Sequence, residues 1–361
     1  MRRILVTGAG GSPAVNFTRS LRLSGEDFYI VGVDSDKYCL QRAETNERYL
    51  VPSCCERDYL TVLNHIIRRT GSELLYSQPD VEIALISECR EEIACRTFLP
   101  SKESVRILQN KFASFQKWQA AGLRVPRTSM INSYRDLQDC FKQYGPKIWL
   151  REIQGAFGKG ALPTSDITQA KAWLDFHDGW GRFCGAECLE PQSVTWQSIW
   201  KNGELIVAQS RRRLYWEFAN RAPSGITGLT GTGVTMADEA LDDLAVKAIA
   251  AIDAKPTGIW SVDMTMDRDG IPNPTEINIG RFFTTHLFFS KAGLNMPLIF
   301  VKTAFNEPTP QLRRKINPLP VGLAWIRGMD FEPILTTEEK IDEYEAELQT
   351  MRRQIHATAN G

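Results

Sequence analysis

Residues 258–279 read GIWSVDMTMDRDGIPNPTEINI, two strand-like runs broken by Asp269-Gly270, and the way these runs pair decides how the whole chain is read. An Asp-Gly step between such runs predicts an antiparallel hairpin. If the loop is those two residues, Asp263 faces Glu276. Alternation then puts Asn278 on the same face as Glu276, with opposed Cβ atoms about 5 Å apart. Like charges placed opposite each other destabilise a hairpin, and a hard cation with oxygen ligands is the simplest compensation. Asp263, Glu276 and Asn278 are therefore candidate ligands for Mg²⁺. Pro272 and Pro274 leave an edge strand or a longer loop open, and a shift of one residue would put the acids on opposite faces. The bland alternative is a solvated hairpin with unrelated acids.

Magnesium usually keeps waters and bridges phosphates through one or two carboxylates, so a phosphate site is expected elsewhere in the chain. The candidate is REIQGAFGKGA (151–161), where Gly155, Gly158 and Gly160 free backbone N–H groups to approach an anion and Arg151 and Lys159 supply charge. It is not a P-loop, because Ala161 stands where that motif needs lysine. An ordinary β-turn is the competing reading. A second hairpin is expected around Asn202-Gly203 in TWQSIWKNGELIVAQS (195–210), and RAPSGITGLTGTG (221–233) reads as a mobile loop.

The N-terminal VTGAGGSP (6–13) looks like a dinucleotide-binding turn but carries Pro13 where a third glycine belongs. Ser12 is the expected N-cap, with Pro13 at the first helical position. Over residues 1–100, strand-like runs (RILVT, FYIVGV, ELLYS, IALIS) alternate with helical stretches (AVNFTRSLRL, YLTVLNHIIRR), which predicts a Rossmann-like parallel sheet. Asp34 follows the second run about where a ribose-binding acid would stand, so a nicotinamide cofactor stays open as an alternative.

The bulk properties narrow the class. The 361 residues are 43% hydrophobic, and 43 Lys plus Arg balance 43 Asp plus Glu, so no global charge draws the chain to nucleic acid or an anionic membrane. Gly8, Gly10 and Gly11 interrupt any signal-peptide core, and no stretch of 18 apolar residues occurs, so a soluble cytoplasmic protein is expected. Eight cysteines without a C-x-x-C pair and four scattered histidines suggest neither zinc nor a disulfide framework. Adjacent Cys54 and Cys55 read as small buried thiols rather than a reactive pair.

Taken in order, Lys111 in ILQNKFASFQKWQAAGLRVPRT, then WLREIQGAFGKGA, AECLE (186–190), GIWSVDM and TEINIGRFFTT resemble the landmarks of ATP-grasp ligases. The resemblance covers residues 1 to about 310. It is nearest to one unit of the carbamoyl-phosphate synthase large subunit and its carboxylate–amine ligase relatives, since Arg151 stands where many members have lysine.

It implies a mixed α/β and α+β fold: a Rossmann-like pre-ATP-grasp domain (1–105), an ATP-grasp domain with antiparallel sheets (106–310, lid subdomain about 125–190), and a C-terminal extension (311–361). The implied activity is ADP-forming ligation of a small carboxylate to a small amine through an acyl phosphate. ATP and Mg²⁺, or Mn²⁺ in its place, would be the cofactors, with no nucleic-acid or membrane partner. Lys111, Arg151 and Lys159 would hold the phosphates under Gly158 and Gly160. Glu187 to Leu189 would meet the adenine edge, Asp263, Glu276 and Asn278 the metal, and Arg281 the acyl phosphate. The glycine turn would face substrate rather than hold a dinucleotide. Two departures stand out. Arg281 comes three residues after Asn278 where two is usual, and Ser193 is the nearest match to the ribose-contacting glutamate. An NAD(P)-dependent reductase or epimerase and a non-catalytic ATP-binding module remain the alternatives.

At the C-terminus, Thr336 and Glu339 form a capping box for a helix over about 337–355, with a stripe of Ile341, Tyr344, Leu348, Met351 and Ile355. The stripe must be covered, either by the chain itself or by a second subunit in a homodimer.

Overall fold

The computed structural model describes residues 1–155, 158, 160–328 and 336–359. Its first sheet is parallel, with β1 (Arg2–Thr7), β2 (Phe28–Asp34), β3 (Glu47–Leu50), β4 (Leu74–Tyr76) and β5 (Arg96–Thr97) in the order β3-β2-β1-β4-β5. The helices α1 (Ser12–Arg22), α2 (Lys37–Gln41), α3 (Tyr59–Thr70) and α4 (Asp80–Glu88) connect them. The unbroken run Ile4-Leu5-Val6 is apolar because both faces are covered: Ile4 and Val6 join Phe17 of α1, and Leu5 joins Val62 and Ile66 of α3.

IALIS, expected as a strand, lies instead within α4. Pro79 is its N-cap, Asp80 and Glu82 occupy the first turn, and Ile83 and Ile86 are buried at a spacing of three. A five-residue apolar run does not by itself distinguish the two periods. The glycine turn also differs in detail. Gly11 is the N-cap and Ser12 the first helical residue, so the Ser12 hydroxyl is not spent on capping. Asp34 accepts from the Gly10 N–H at 3.0 Å and the Asp36 N–H at 3.1 Å, and a Cβ on Gly10 would lie 1.7 Å from the Cys39 carbonyl oxygen. The chain itself thus uses the carboxylate and fills the space over this glycine.

After α5 (Lys102–Leu108) and α6 (Lys111–Ala120) come two antiparallel sheets. The smaller has β6 (Thr128–Ile131), β7 (Ile148–Glu152), β8 (Leu162–Thr164) and β9 (Phe183–Glu187) in the order β6-β9-β7-β8, packed on α7 (Tyr134–Tyr144) and α8 (Ile167–Phe176). The larger has β10 (Ser193–Lys201), β11 (Glu204–Trp216), β12 (Thr230–Met236), β13 (Gly258–Met266), β14 (Pro272–Ile279) and β15 (Ala324–Ile326) in the order β14-β13-β10-β11-β12-β15. Alternation divides its faces. Trp196, Trp260, Val262 and Met264 pack under α9 (Glu239–Ala250), while the opposite face is polar. The end of the expected mobile loop, from Thr230, is strand: Gly231 and Gly233 belong to β12, where Tyr215 and the Arg211 stem leave no room for a Cβ without a shift.

Both hairpins form. Asn202 (φ 50°) and Gly203 (φ 89°) make the two-residue turn between β10 and β11, both in the left-handed region that a type I′ turn requires. Between β13 and β14 the expected two-residue loop is corrected. Asp267 N–H donates to Ile271 O, so Arg268-Asp269-Gly270 form the loop, and Met264 pairs with Pro274. A bulge that leaves Thr275 unpaired then restores Asp263 opposite Glu276.

The segment after β14, with α10 (Leu287–Lys291) and α11 (Met296–Ala304), packs on the first sheet. Phe17 and Tyr76 stack at 4.0 Å, and Phe282 and Phe300 lie against both rings. The last helix, α12 (Glu338–Ala359), starts one residue later than expected. Thr337, not Thr336, takes the capping position, accepting from the Lys340 N–H, so Glu339 does not complete a box. Its stripe is covered by the chain's own first domain, with Leu348 and Met351 buried among β3 and α3 residues. Lys37 reaches Asp342 and Glu345, and Arg352 reaches Asp58 and Glu56. Among the described residues, no helix is long and apolar enough to cross a membrane. Replacing Met351, which is 1% exposed, by alanine is expected to cost about 2 kcal/mol or more, seen as a lower melting temperature with an unchanged sedimentation coefficient. A variant that dissociates would instead assign the stripe to a subunit contact.

Candidate active site

A cleft of about 540 Å³ runs between the four-stranded sheet and the polar face of the six-stranded sheet. Lys111, Arg151, Glu187, Leu189, Asp263 and Glu276, drawn from separate stretches of sequence, all line it. Asp263 and Glu276 are directly paired on neighbouring strands. Donors surround the acids. Thr195 Oγ1 donates to Asp263 Oδ1 at 2.5 Å, Asn278 Nδ2 to Asp263 Oδ2 at 3.0 Å, and Arg213 Nη2 lies 3.6 Å from Oδ1. Lys111 Nζ is 3.7 Å from Glu276 Oε1 and donates to the Gly155 carbonyl. Burial lowers the Arg213 pKa, and the Asp263 carboxylate opposes that loss.

Paired carboxylate oxygens at a cleft wall suit Mg²⁺, a hard cation that takes one or two such ligands. Asn278 is placed differently: its Oδ1 accepts from Arg281 Nη2 at 2.6 Å, so it must turn before that oxygen can meet a metal. Arg281 does not line the cleft. The extra residue before it, Gly280 (φ 76°), turns the chain so that Arg281 forms a two-point pair with Asp80, at 2.5 and 3.0 Å. Burial works against that charge, but the Asp80 carboxylate outweighs it and holds the Arg281 pKa above its ordinary value.

Lys111 begins α6, whose N-cap Asn110 fixes its place. Arg151 Nη2 donates to the carbonyl of the bulged Thr275 at 3.0 Å, tying β7 to β14. Gly155, Gly158 and Gly160 all have positive φ (124°, 69° and 73°), the conformations for which glycine is needed. Lys159 lies outside the described residues. Glu187 is held by Arg127 Nε at 3.2 Å at the end of β9, and Ser193 Oγ accepts from Arg213 Nη1 at 2.7 Å. Sequence reasoning missed Thr195, Arg213 and Asp80. Counting back from the Asn202-Gly203 turn would have set Ser210 opposite Thr195. A bulge between Ile199 and Trp200 brings Arg211 there instead and turns Arg213 toward Ser193.

No protein-family model matches the sequence, and no curated protein matches it. Solved structures do. A carboxyaminoimidazole ribonucleotide synthase from Aspergillus clavatus complexed with ATP is 14% identical with a TM-score of 0.66, over 86% of this chain and 78% of that one. The biotin carboxylase domain of 2-oxoglutarate carboxylase from Hydrogenobacter thermophilus, in complex with MgADP, ADP and bicarbonate, is 15% identical with a TM-score of 0.68, over 90% and 73%. An L-amino acid ligase from Bacillus licheniformis is 10% identical with a TM-score of 0.65, over 84% and 74%. These are ATP-grasp ligases, and this chain has their fold: a parallel sheet, two antiparallel sheets and a C-terminal helix.

The glycine loop yields a direct test. A Cβ on Gly158 would stand 2.7 Å from the Ile226 carbonyl oxygen, at a φ that disfavours side chains. Gly158→Ala is expected to push the loop off residues 224–226, costing about 1 kcal/mol or more and speeding proteolysis near residues 155–160. Unchanged cleavage would show that this packing does not hold the loop.

Proposed function

We propose that the protein is an ATP-dependent carboxylate–amine ligase that transfers the γ-phosphoryl group of ATP to a small carboxylate. An amine then displaces the phosphate from the acyl phosphate, leaving an amide, ADP and phosphate. The observation that carries this reading is the Asp263–Glu276 pair facing Lys111 and Arg151 across one cleft, within a fold whose solved neighbours include structures with bound ATP or MgADP.

In this reading Asp263 and Glu276, with Asn278 after its amide turns, hold Mg²⁺ or Mn²⁺. The metal would neutralise phosphate charge and orient the γ-phosphoryl group. Lys111 leaves Glu276 for a phosphate, with Arg151 and Lys159 as the other cations and Gly158 and Gly160 above them. The backbone of Glu187 to Leu189 meets the adenine edge, and Arg213 adds charge beside Asp263. Arg281, held on Asp80 outside the cleft, orients Asn278 through its Nη2 and would have to leave that pair to meet an acyl phosphate. A nicotinamide cofactor is disfavoured because Asp34 is buried against the backbone N–H groups of Gly10 and Asp36 and the Cys39 carbonyl closes the space over Gly10. Eight free cysteines accord with a cytoplasmic setting. The two-point Arg281–Asp80 pair favours one competing reading, a module that binds ATP without turnover.

The test is ADP release from Mg-ATP against pools of small carboxylates and amines, followed by the active acid labelled with ¹⁸O in its carboxylate. Label recovered in inorganic phosphate is expected. Glu276→Gln should reduce turnover at least a hundredfold with the melting temperature retained. Mg-ATP binding without ADP release from any pool would establish the non-catalytic module. Wild-type turnover by Glu276→Gln at saturating magnesium would remove the metal assignment.

A further inference from the structure

The polar face of the six-stranded sheet continues past the acid pair. Opposite Thr195 stands Arg211, and at the far edge Gly233 pairs with Trp325, two residues before Arg327. Arg327 N–H donates to the Gly231 carbonyl, and its guanidinium donates to Ser12 Oγ at 2.7 Å and Thr284 Oγ1 at 3.3 Å. Asn16, one turn along α1 from Ser12, donates to the Thr284 carbonyl at 2.9 Å, so the arginine is fixed against the opening turn of that helix.

Arg211 is 1% exposed, with its guanidinium 4.4 Å over the Phe283 ring, next to Thr284. Its Nη2 donates to Thr230 Oγ1 at 3.2 Å, but Nε and Nη1 have no hydrogen-bond partner among the described residues. Burial first, and then the neighbouring charge of Arg213, lower its pKa; the Asp263 carboxylate opposes the shift and Arg327 adds to it. A buried guanidinium with two idle donors is costly unless something accepts from it.

We propose that the strip from Arg211 to Arg327 and Ser12 binds an anionic group of the acceptor substrate, a carboxylate or phosphate distinct from the carboxylate activated beside Asp263 and Glu276. This rests on the ligase reading. The acceptor is then a small acid with two anionic groups. Arg211 stands two strands from Asp263, about 10 Å across the sheet, a separation that a small acid with two anionic groups can bridge. The guanidinium supplies paired donors that suit either anion, and the α1 N-terminus adds its positive end.

Calorimetric titration of the full chain, saturated with Mg-ADP, with succinate and separately with inorganic phosphate tests this. At least one anion is expected to bind, and Arg211→Met and Arg327→Met should each weaken it at least tenfold while leaving Mg-ADP affinity unchanged. Tighter succinate binding marks a dicarboxylate, and tighter phosphate binding a phosphorylated acid. Should Arg327→Met fail to fold, Arg327→Gln removes the charge while keeping a donor within reach of Ser12 and Thr284. No binding by either anion, or wild-type affinity in folded variants, overturns the proposal. Absence of Mg-ADP binding would overturn the ligase reading instead, and the same titrations without nucleotide would still decide the anion site.

Discussion

Two carboxylates held opposite each other on one hairpin are the constraint around which the cleft is organised. Like charges set directly opposite each other on neighbouring strands repel and destabilise the pair. The fold answers with donors from four elements: Thr195 from β10, Arg213 from β11, Asn278 from β14 and Lys111 from the start of α6. Three of the four are also tied elsewhere. Lys111 grips the Gly155 carbonyl, Arg213 bonds Ser193, and Asn278 takes a bond from Arg281. Neutralising the acids therefore draws the glycine loop, the sheet and the first domain toward one point.

The site was legible in the sequence where its geometry is local, and illegible where bulges intervene. Asp263 was rightly set against Glu276, yet through two offsets that cancel. The loop is three residues rather than two, and the Thr275 bulge adds back the lost residue. On the neighbouring hairpin nothing cancels. The Asn202-Gly203 turn is where the sequence predicts it, but the bulge at Ile199 and Trp200 reverses which β11 side chains face the acids, so spacing alone does not point to Arg211 or Arg213. Sequence pattern carries the period of a strand but not the place where it slips. The same limit explains IALIS, whose short apolar run fits either period until Pro79 and the acidic first turn are weighed. It also explains Ser12, a good N-cap by type that the backbone passes over for Gly11.

The first domain is joined to the rest by interactions of several kinds. The aromatic stack of Phe17, Tyr76, Phe282 and Phe300 makes one core of two sheets. The Asp80–Arg281 pair and the Asn16 and Arg327 bonds to Thr284 add direction to it. A Rossmann-like turn fixed in this way faces its neighbour's polar sheet. Its glycines serve close packing, as the Cys39 carbonyl over Gly10 shows, and its helix N-terminus is left to face whatever that sheet binds.

The four-stranded sheet is attached differently. Its core, with Ile131, Leu137, Ile148, Leu174 and Phe183, is its own. Its ties across the cleft are polar and few in kind, such as Arg151 to the Thr275 carbonyl and Gly155 to Lys111. A body with a private core and polar contacts at its edge can move as a unit, because separation leaves no apolar core exposed. These two side-chain tethers use cations that a phosphate would compete for. Backbone bonds from Lys111 N–H to Ile153 O and from Glu190 N–H to Met266 O join the two bodies beside them. The cleft's other wall, the polar face of the six-stranded sheet with Arg213, Asp263 and Glu276, is braced from behind by α9.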